Sequence, residues 1–464
     1  GMPTQYVDGP ALRSLLFHKE HAKLSRIFEG LQREFAADQR KEYWPLDAAT
    51  AFSSAEPALR AELDAWAEAT PDAFAPYLAR GMYLTSVAWA RRGFKYAKET
   101  HDSDFAAMKE TLPLALADFE RALAIEPGSV AALQGKIKVF QGQSKKQLAK
   151  TALAQAVAIC PACFQVRVGY MMLLRPRWFG SRAEMVYFAS TAGKGDKKLR
   201  LLRGYVDWDE AQTLRENDKN EEALATIRRA CKLGPHWEFL IERGVIQQRL
   251  KHEKAALADL DAAWAARPGQ PEILRCRASV YHQLRRWEEA GRDMLALLRT
   301  RPTDEYARDN LDVVVKGLVY DGWEHYKAGK RMDSLRLYDL AAELQPRNLD
   351  VMQRRAWVIE GRAPAPSGAP GDKAPDLAAL ERACKQNPDD LRAHQQLDYN
   401  LARKGKYSEV VEMWNGYVAR HPNDGRAYLE RGGAYFHLRK MAEAKADAAK
   451  ACALGISEGC MRAK

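Results

Sequence analysis

Long apolar runs are missing from this sequence. No stretch approaches the ~20 consecutive apolar residues that a membrane helix needs. The strongest short run, Leu311-Asp312-Val313-Val314-Val315-Lys316, already carries two charges, so no membrane span is expected. A basic start followed by an apolar core is also missing, which leaves no secretory leader to read. Gly1-Met2 reads as a tag remnant before a start methionine. The expected compartment is the cytoplasm, or the periplasm or exterior if a leader has been trimmed.

Catalytic signatures are absent as well. There is no Gly-rich phosphate loop after a strand, no nucleophile elbow and no HExxH. Carboxylates such as Asp207, Asp209 and Glu210 fall on ordinary helix surfaces. We therefore expect no enzyme and no cofactor. Cysteines number seven, so at least one is free or pairs between chains. Cys160-Pro161-Ala162-Cys163 has redox-pair spacing, but Cys160 ends a helix, where the dipole raises a thiol pKa. A structural disulfide or two plain thiols fit better. No second Cys or His pair lies at zinc spacing. His18 and His21 share one helical face in this reading, but no third ligand is identifiable, and no metal is assigned.

Hydrophobic residues make up 47% and charged residues 29%, which is a globular balance. The net charge of +11 is uneven. Residues 151–200 hold eight Lys or Arg against two acids, and residues 401–464 hold twelve against seven. These two windows account for the whole surplus. Local patches of this kind fit a specific acidic contact better than a general nucleic-acid surface.

Periodicity organises the rest. Apolar residues at Leu12, Leu15, Leu16, Leu24, Ile27, Phe28, Leu31 and Phe35 recur at helical spacing. From Phe74 onward, helix pairs end in regularly spaced prolines. Pro127 to Pro161 is 34 residues, Pro235 to Pro268 is 33, and Pro268 to Pro302 and Pro388 to Pro422 are 34 each. Such a period is the mark of stacked helical hairpins. Each hairpin needs a small residue where its helices cross. Gly81, Gly135, Gly169, Gly204, Gly244, Ala278, Ala356 and Gly432 stand there, and Asp398 marks a looser crossing. An arginine precedes six of them. The expected fold is all-α: an α-α superhelix with an N-terminal helical cap at 1–73, irregular hairpins at 74–198 and regular repeats at 199–464. The Pro/Ala-rich stretch at 363–376 reads as a loop inside one unit, or else as a boundary before the last two and a half.

Positions three before, one after and four after each crossing residue share the open face of the first helix. They nominate a groove of Tyr205, Trp208, Ile241, Gln248, Arg275, His282, Gln353, Trp357, Gln395, Tyr399 and Phe436. Rings mixed with amides and a guanidinium suit capture of a protein or peptide. A second candidate is the loop Arg175-Pro176-Arg177-Trp178-Phe179-Gly180-Ser181. Arg175, Arg177, Trp178 and Ser181 there suit a small carboxylate or phosphate ligand, or an enzyme site. The plainer reading is that Trp178 plugs the core while the arginines pair with acids of neighbouring helices. A third reading is polyanion binding through the two basic windows.

These repeats resemble the tetratricopeptide-repeat superfamily over roughly residues 74–464. That resemblance implies a concave groove, lined by first helices, that binds peptides or partner proteins. A narrower resemblance covers about residues 10–190. Trp89-Ala90-Arg91-Arg92-Gly93, Thr100 with Phe105 and Met108, and Tyr170-Met171 before Leu174–Ser181 are similar to a bacterial family of unknown function joined to such repeats. That family usually has glycine where Phe179 stands, and it supplies no activity. The stretch Lys450–Cys460 is similar to Sel1-like repeats, and this likeness implies a Cys452–Cys460 bridge between helices.

Overall fold

The computed structural model describes residues 7–92, 102–178, 180–192, 196–361, 377–454 and 456. Every long element among them is an α-helix. The chain forms two compact units, residues 1–362 and 363–464. The division falls at the start of the Pro/Ala-rich stretch, and residues 363–376 lie outside the described residues.

The first unit opens with α1 (Gly9–Phe17), α2 (His21–Ala37), α3 (Tyr43–Thr50) and α4 (Ala58–Ala69). Hairpins follow: α5 (Ala75–Arg92) with α6 (Asp102–Ile125), α7 (Val130–Gly142) with α8 (Lys146–Ile159), and α9 (Gln165–Leu173) with α10 (Arg182–Ala192). Next come α11 (Gly204–Glu216) with α12 (Asn220–Lys232) and α13 (Trp237–Arg249) with α14 (Glu253–Ala266). Then α15 (Pro271–Gln283) pairs with α16 (Trp287–Thr300), and α17 (Glu305–Lys327) with α18 (Arg331–Leu344), before α19 (Leu349–Glu360). The second unit holds α20 (Leu377–Gln386), α21 (Leu391–Arg403), α22 (Tyr407–Arg420), α23 (Gly425–His437) and α24 (Met441–Ala453).

In the first unit the first helices pack side by side, α5 on α7 on α9 and α11 on α13 on α15, and so form one layer. The cause is visible in α13 and α14. Phe239, Leu240 and Ile246 bury one side of α13, while Ala256, Leu260 and Ala263 bury the facing stripe of α14. Gly244 sits at their crossing, where a Cβ would stand 3.0 Å from Leu260 and 3.3 Å from the Ala256 carbonyl. Gly169 departs from this pattern, since its nearest neighbour is Gln134 at an ordinary 3.5 Å. The turns inside the hairpins share a left-handed residue: Ser144, Asp218, Lys251, Arg285 and Arg439, with Gly329 and Gly405 at the same place in theirs.

The arginines before the crossings hold the hairpins together. Arg243, Arg277 and Arg431 each grip the aspartate sixteen residues on, Asp259, Asp293 and Asp447, through two bonds of 2.5–2.8 Å. They also reach backwards by the same interval. Arg277 meets Asp261 at 3.0 Å, Arg355 meets Asp339 at 2.5 Å, and Arg431 meets Asn415 at 2.8 Å. Arg203 is exposed and has Lys219 at the forward spacing, so that rung is missing. At Asp398 the acid takes the crossing place itself, and Trp414 Nε1 donates to it at 2.6 Å.

The same ladder reclassifies part of the N-terminal cap. Arg80 reaches back to Asp64 on α4 at 3.0 Å, so α4 stands where the second helix of a preceding hairpin would. By contrast, α3 lies over the layer of first helices. The Glu42 carboxylate just before α3 accepts the Phe164 and Gln165 amides at the start of α9, at 2.8 and 2.9 Å, and pairs with Lys198. The Tyr43 hydroxyl accepts from Gln165 Nε2, and the Arg267 guanidinium covers the Tyr43 ring at 3.7 Å while bonding Asp47 at 2.7 Å.

Candidate functional site

The proposed groove positions separate into three groups. Arg275, Gln353 and Phe436 are exposed. Trp208, Ile241, Gln248, His282, Trp357 and Gln395 are half-buried, while the Tyr399 side chain lies outside the described residues. Gln248 donates to Ser279 Oγ at 2.8 Å, and His282 rests on Trp287 at 5.7 Å, where burial lowers its pKa. Tyr205 is not a groove residue. It is fully buried among Phe164, His236 and Phe239, and its hydroxyl bonds His236 Nε2 at 2.8 Å and the Glu238 carboxylate. The position after Gly204 points under the start of α13, where burial pushes the phenol pKa well up.

The loop after α9 is largely structural. Arg175 is buried, pairs with Asp209, donates to Gln212 at 2.6 Å and covers the Trp208 ring at 4.8 Å. Arg177 makes two 2.8 Å bonds to Glu216. Ser181 caps α10, accepting the Glu184 amide at 3.2 Å and donating to its carboxylate at 3.1 Å. Gly180 is required, since a Cβ there would stand 2.0 Å from the Leu174 carbonyl oxygen. Phe179 lies outside the described residues. Arg182 and Lys198 are paired with Glu210 and Glu42. Four of the eight basic residues in the 151–200 window thus pair with acids, all of them from distant segments, while Lys197 and Arg200 are exposed. In the other window, Lys406, Arg420, Arg426 and Arg431 pair with Glu409, Asp389, Glu430 and Asp447.

Trp178 also borders open space. It is half-buried, stands edge-on to Trp89 at 4.9 Å, and with it borders a cavity of about 650 Å³ in the first unit. Leu46, Thr50, Ser53 and Ser54 close one side of this cavity. Met82, Thr85, Ser86, Gln134, Lys138, Gln141, Met172, Arg177, Arg301 and Asp304 line the rest. A smaller cavity of about 290 Å³ lies on the other flank of α3, beside Tyr43, Asp47 and Arg267. Sequence reasoning missed Trp89, Lys138 and Gln141 as site residues, because the helices that bring them together are far apart in the chain.

Cys160 ends α8 as expected and forms a disulfide with Cys163, both of them buried. Cys452 is disulfide-bonded too, while Cys460 lies outside the described residues. His18 and His21 do not share a helix: α1 ends at Phe17, Lys19 turns left-handed, and His21 opens α2. Among the described residues no group of three His, Cys, Asp or Glu stands close enough to hold a metal. No described helix is long and apolar enough to cross a membrane.

Residues 10–147 match the family described as Domain of unknown function (DUF4034). The Leu174–Ser181 motif lies beyond that match. A DnaJ homolog subfamily C member 7 homolog from Schizosaccharomyces pombe is 24% identical over 194 residues, which is 41% of this chain and 35% of the relative. The chain thus matches about a third of that protein's length. Among solved structures, a tetratricopeptide repeat protein from Parabacteroides merdae shares 17% identity, covering 56% of this chain and 98% of its own, with a TM-score of 0.24. The human IFIT1 dimer with m7Gppp-AAAA shares 14% identity, covering 90% of this chain and 91% of its own, with a TM-score of 0.28.

Proposed function

We propose that the chain is a scaffold that holds a protein or peptide on the face of its first helices, along α13 to α19. The contrast along that layer carries the reading. The α3 helix packs on α5 and α7 and reaches Arg267 ahead of α15, whereas Arg275 on α15 and Gln353 on α19 are exposed to solvent. Gln248 on α13, His282 on α15 and Trp357 on α19 are half-buried. A guanidinium, amides and rings on a rigid layer suit an extended segment with some acidic character. The arginine ladder keeps that layer rigid, so little order is lost on binding. On this reading the chain is not an enzyme. The bonded Cys160–Cys163 and Cys452 favour an oxidising compartment over the reducing cytoplasm.

The test is site-specific photo-crosslinking in lysate of the source cell. A crosslinker at position 275 or 353 should join one discrete protein. A crosslinker at Met332, an exposed residue of the second helix α18, should not. Equal capture from position 332 would refute the assignment.

A further inference from the structure

We propose that the groove between α23 and α24 seats an amphipathic helix of a partner protein, one with large apolar side chains on its inner face and acidic residues along its edge. This goes beyond the scaffold reading, which concerns α13 to α19 of the first unit. Its basis is what other hairpins do with the same place. After Asp398, the residues twelve and sixteen positions on are Val410 and Trp414, which are 1% and 0% exposed. There α23 packs on α22, and its Ala427 and Ala434 join both in one buried cluster. After Gly244 the corresponding residues are Ala256 and Leu260. Here α15 packs on α13 and α14, with Ile273 and Val280 buried in clusters that both helices share. Each arriving helix thus brings an apolar pair seven residues apart, which is how stacked repeats bury their faces.

After Gly432 the same two positions hold Ala444 and Ala448. Together with Leu429, Gly433, Phe436 and Met441 they line a groove of about 450 Å³. Phe436 is 59% exposed and Met441 49%, so apolar surface at this seat meets water. Ala448 is smaller than Trp414 or Leu260 at its place, which leaves room for a large side chain such as leucine. Charge then selects the edge of the arriving helix. Lys445 lines the groove where α22 has Val411 and α14 has Leu257. Lys440 stands just before Met441. Both lysines are exposed, and among the described residues neither pairs with an acid. Nearby acids are engaged elsewhere: Arg431 holds Asp447 at 2.7 Å, and Arg426 holds Glu430 at 3.0 Å. Glu443, exposed in the first turn of α24, does not line the groove. Acidic side chains along the edge of an incoming helix would meet the two ammonium groups while its apolar face fills the groove.

Fluorescence anisotropy of stapled helical peptides titrated with the full chain tests the proposal. The first probe carries leucines at i, i+3 and i+7 with glutamates on both edges. The second has lysines for the glutamates, and the third has serines for the leucines. The first should bind saturably with a Kd below about 100 µM, the second about fivefold more weakly, and the third not measurably. Phe436→Glu should weaken the first probe at least about tenfold, and Lys445→Glu should reverse the preference between the first two. Both side chains are exposed, and circular dichroism checks that each variant stays helical. Absence of binding by the first probe would overturn the proposal, as would equal binding of the first two or undiminished binding to folded Phe436→Glu. Sedimentation of the chain alone separates the other occupant: a dimer dispersed by Phe436→Glu would give the groove to a second copy and refute the partner helix.

Discussion

Replacing Arg277 with methionine tests whether the arginine ladder holds the repeats together. The guanidinium makes bonds of 2.6 and 2.7 Å to Asp293 and one of 3.0 Å to Asp261. The Arg277 side chain is 15% exposed and that of Asp293 only 9%, so water replaces the lost partner poorly. Breaking a buried pair by removing one partner costs about 3–5 kcal/mol. Asp261 is 55% exposed and contributes little, and some water reaches the site, so about 2–4 kcal/mol is expected. Burial already holds the Asp293 carboxyl above its ordinary pKa against the pull of Arg277. Without the arginine it should rise further, so the penalty should shrink as pH falls and the carboxyl protonates. A repeat array need not unfold in one step. Native-state hydrogen exchange of the α15 and α16 amides is therefore the right assay, with the α5 and α6 amides as an internal reference. Arg286→Ala serves as the control, since its pair with Glu289 is 48% and 36% exposed and should be worth less than about 0.5 kcal/mol. If Arg277→Met lowers protection no more than Arg286→Ala, the ladder does not hold the hairpins.

Other outcomes follow from local chemistry. Burial raises Asp398 to about 6, so its contribution to the second unit is fully present below the ordinary aspartate range and is lost as pH rises through 6. Thermal melts of Asp398→Asn should lack that slope and exceed the parent at pH 8. An unchanged slope would count against the buried acid. Arg285 and Lys251 adopt φ of 55° and 60° at turns where Gly329 and Gly405 serve elsewhere. Substituting glycine at either should be neutral or stabilising by up to about 1 kcal/mol, and a clear loss of stability would contradict the turn geometry. Under denaturing conditions without reductant, a thiol reagent should label Cys231, Cys276 and Cys384, and label Cys160 and Cys163 only after reduction. Labelling of Cys160 before reduction would remove the case for an oxidising compartment.

Architecture was legible because it rests on local rules. The proline spacing, the crossing glycines and the apolar stripes all act within one hairpin, so Gly244 and its neighbours could be placed from sequence. The ladder was half visible. The arginines stood out, and the aspartates sixteen residues on were a signal that had only to be matched to them. Site residues fared worse, because they depend on contacts between distant segments. Tyr205 satisfied the face rule, yet the next hairpin brings His236 and Phe239 over it. The basic window looked free until Asp209, Glu210, Glu216 and Glu42 folded against it. Nothing local announced that α3 would lie over the first helices, since Glu42 finds its partners more than a hundred residues away.

A partner held on the layer of first helices from α13 onward should leave its mark on backbone protection. Hydrogen exchange of the full chain with and without its crosslinked partner tests it most directly. Added protection should appear in α13, α15, α17 and α19, around Gln248, Arg275, His282 and Gln353, with α14, α16 and α18 unchanged. Protection confined to the second helices would contradict it.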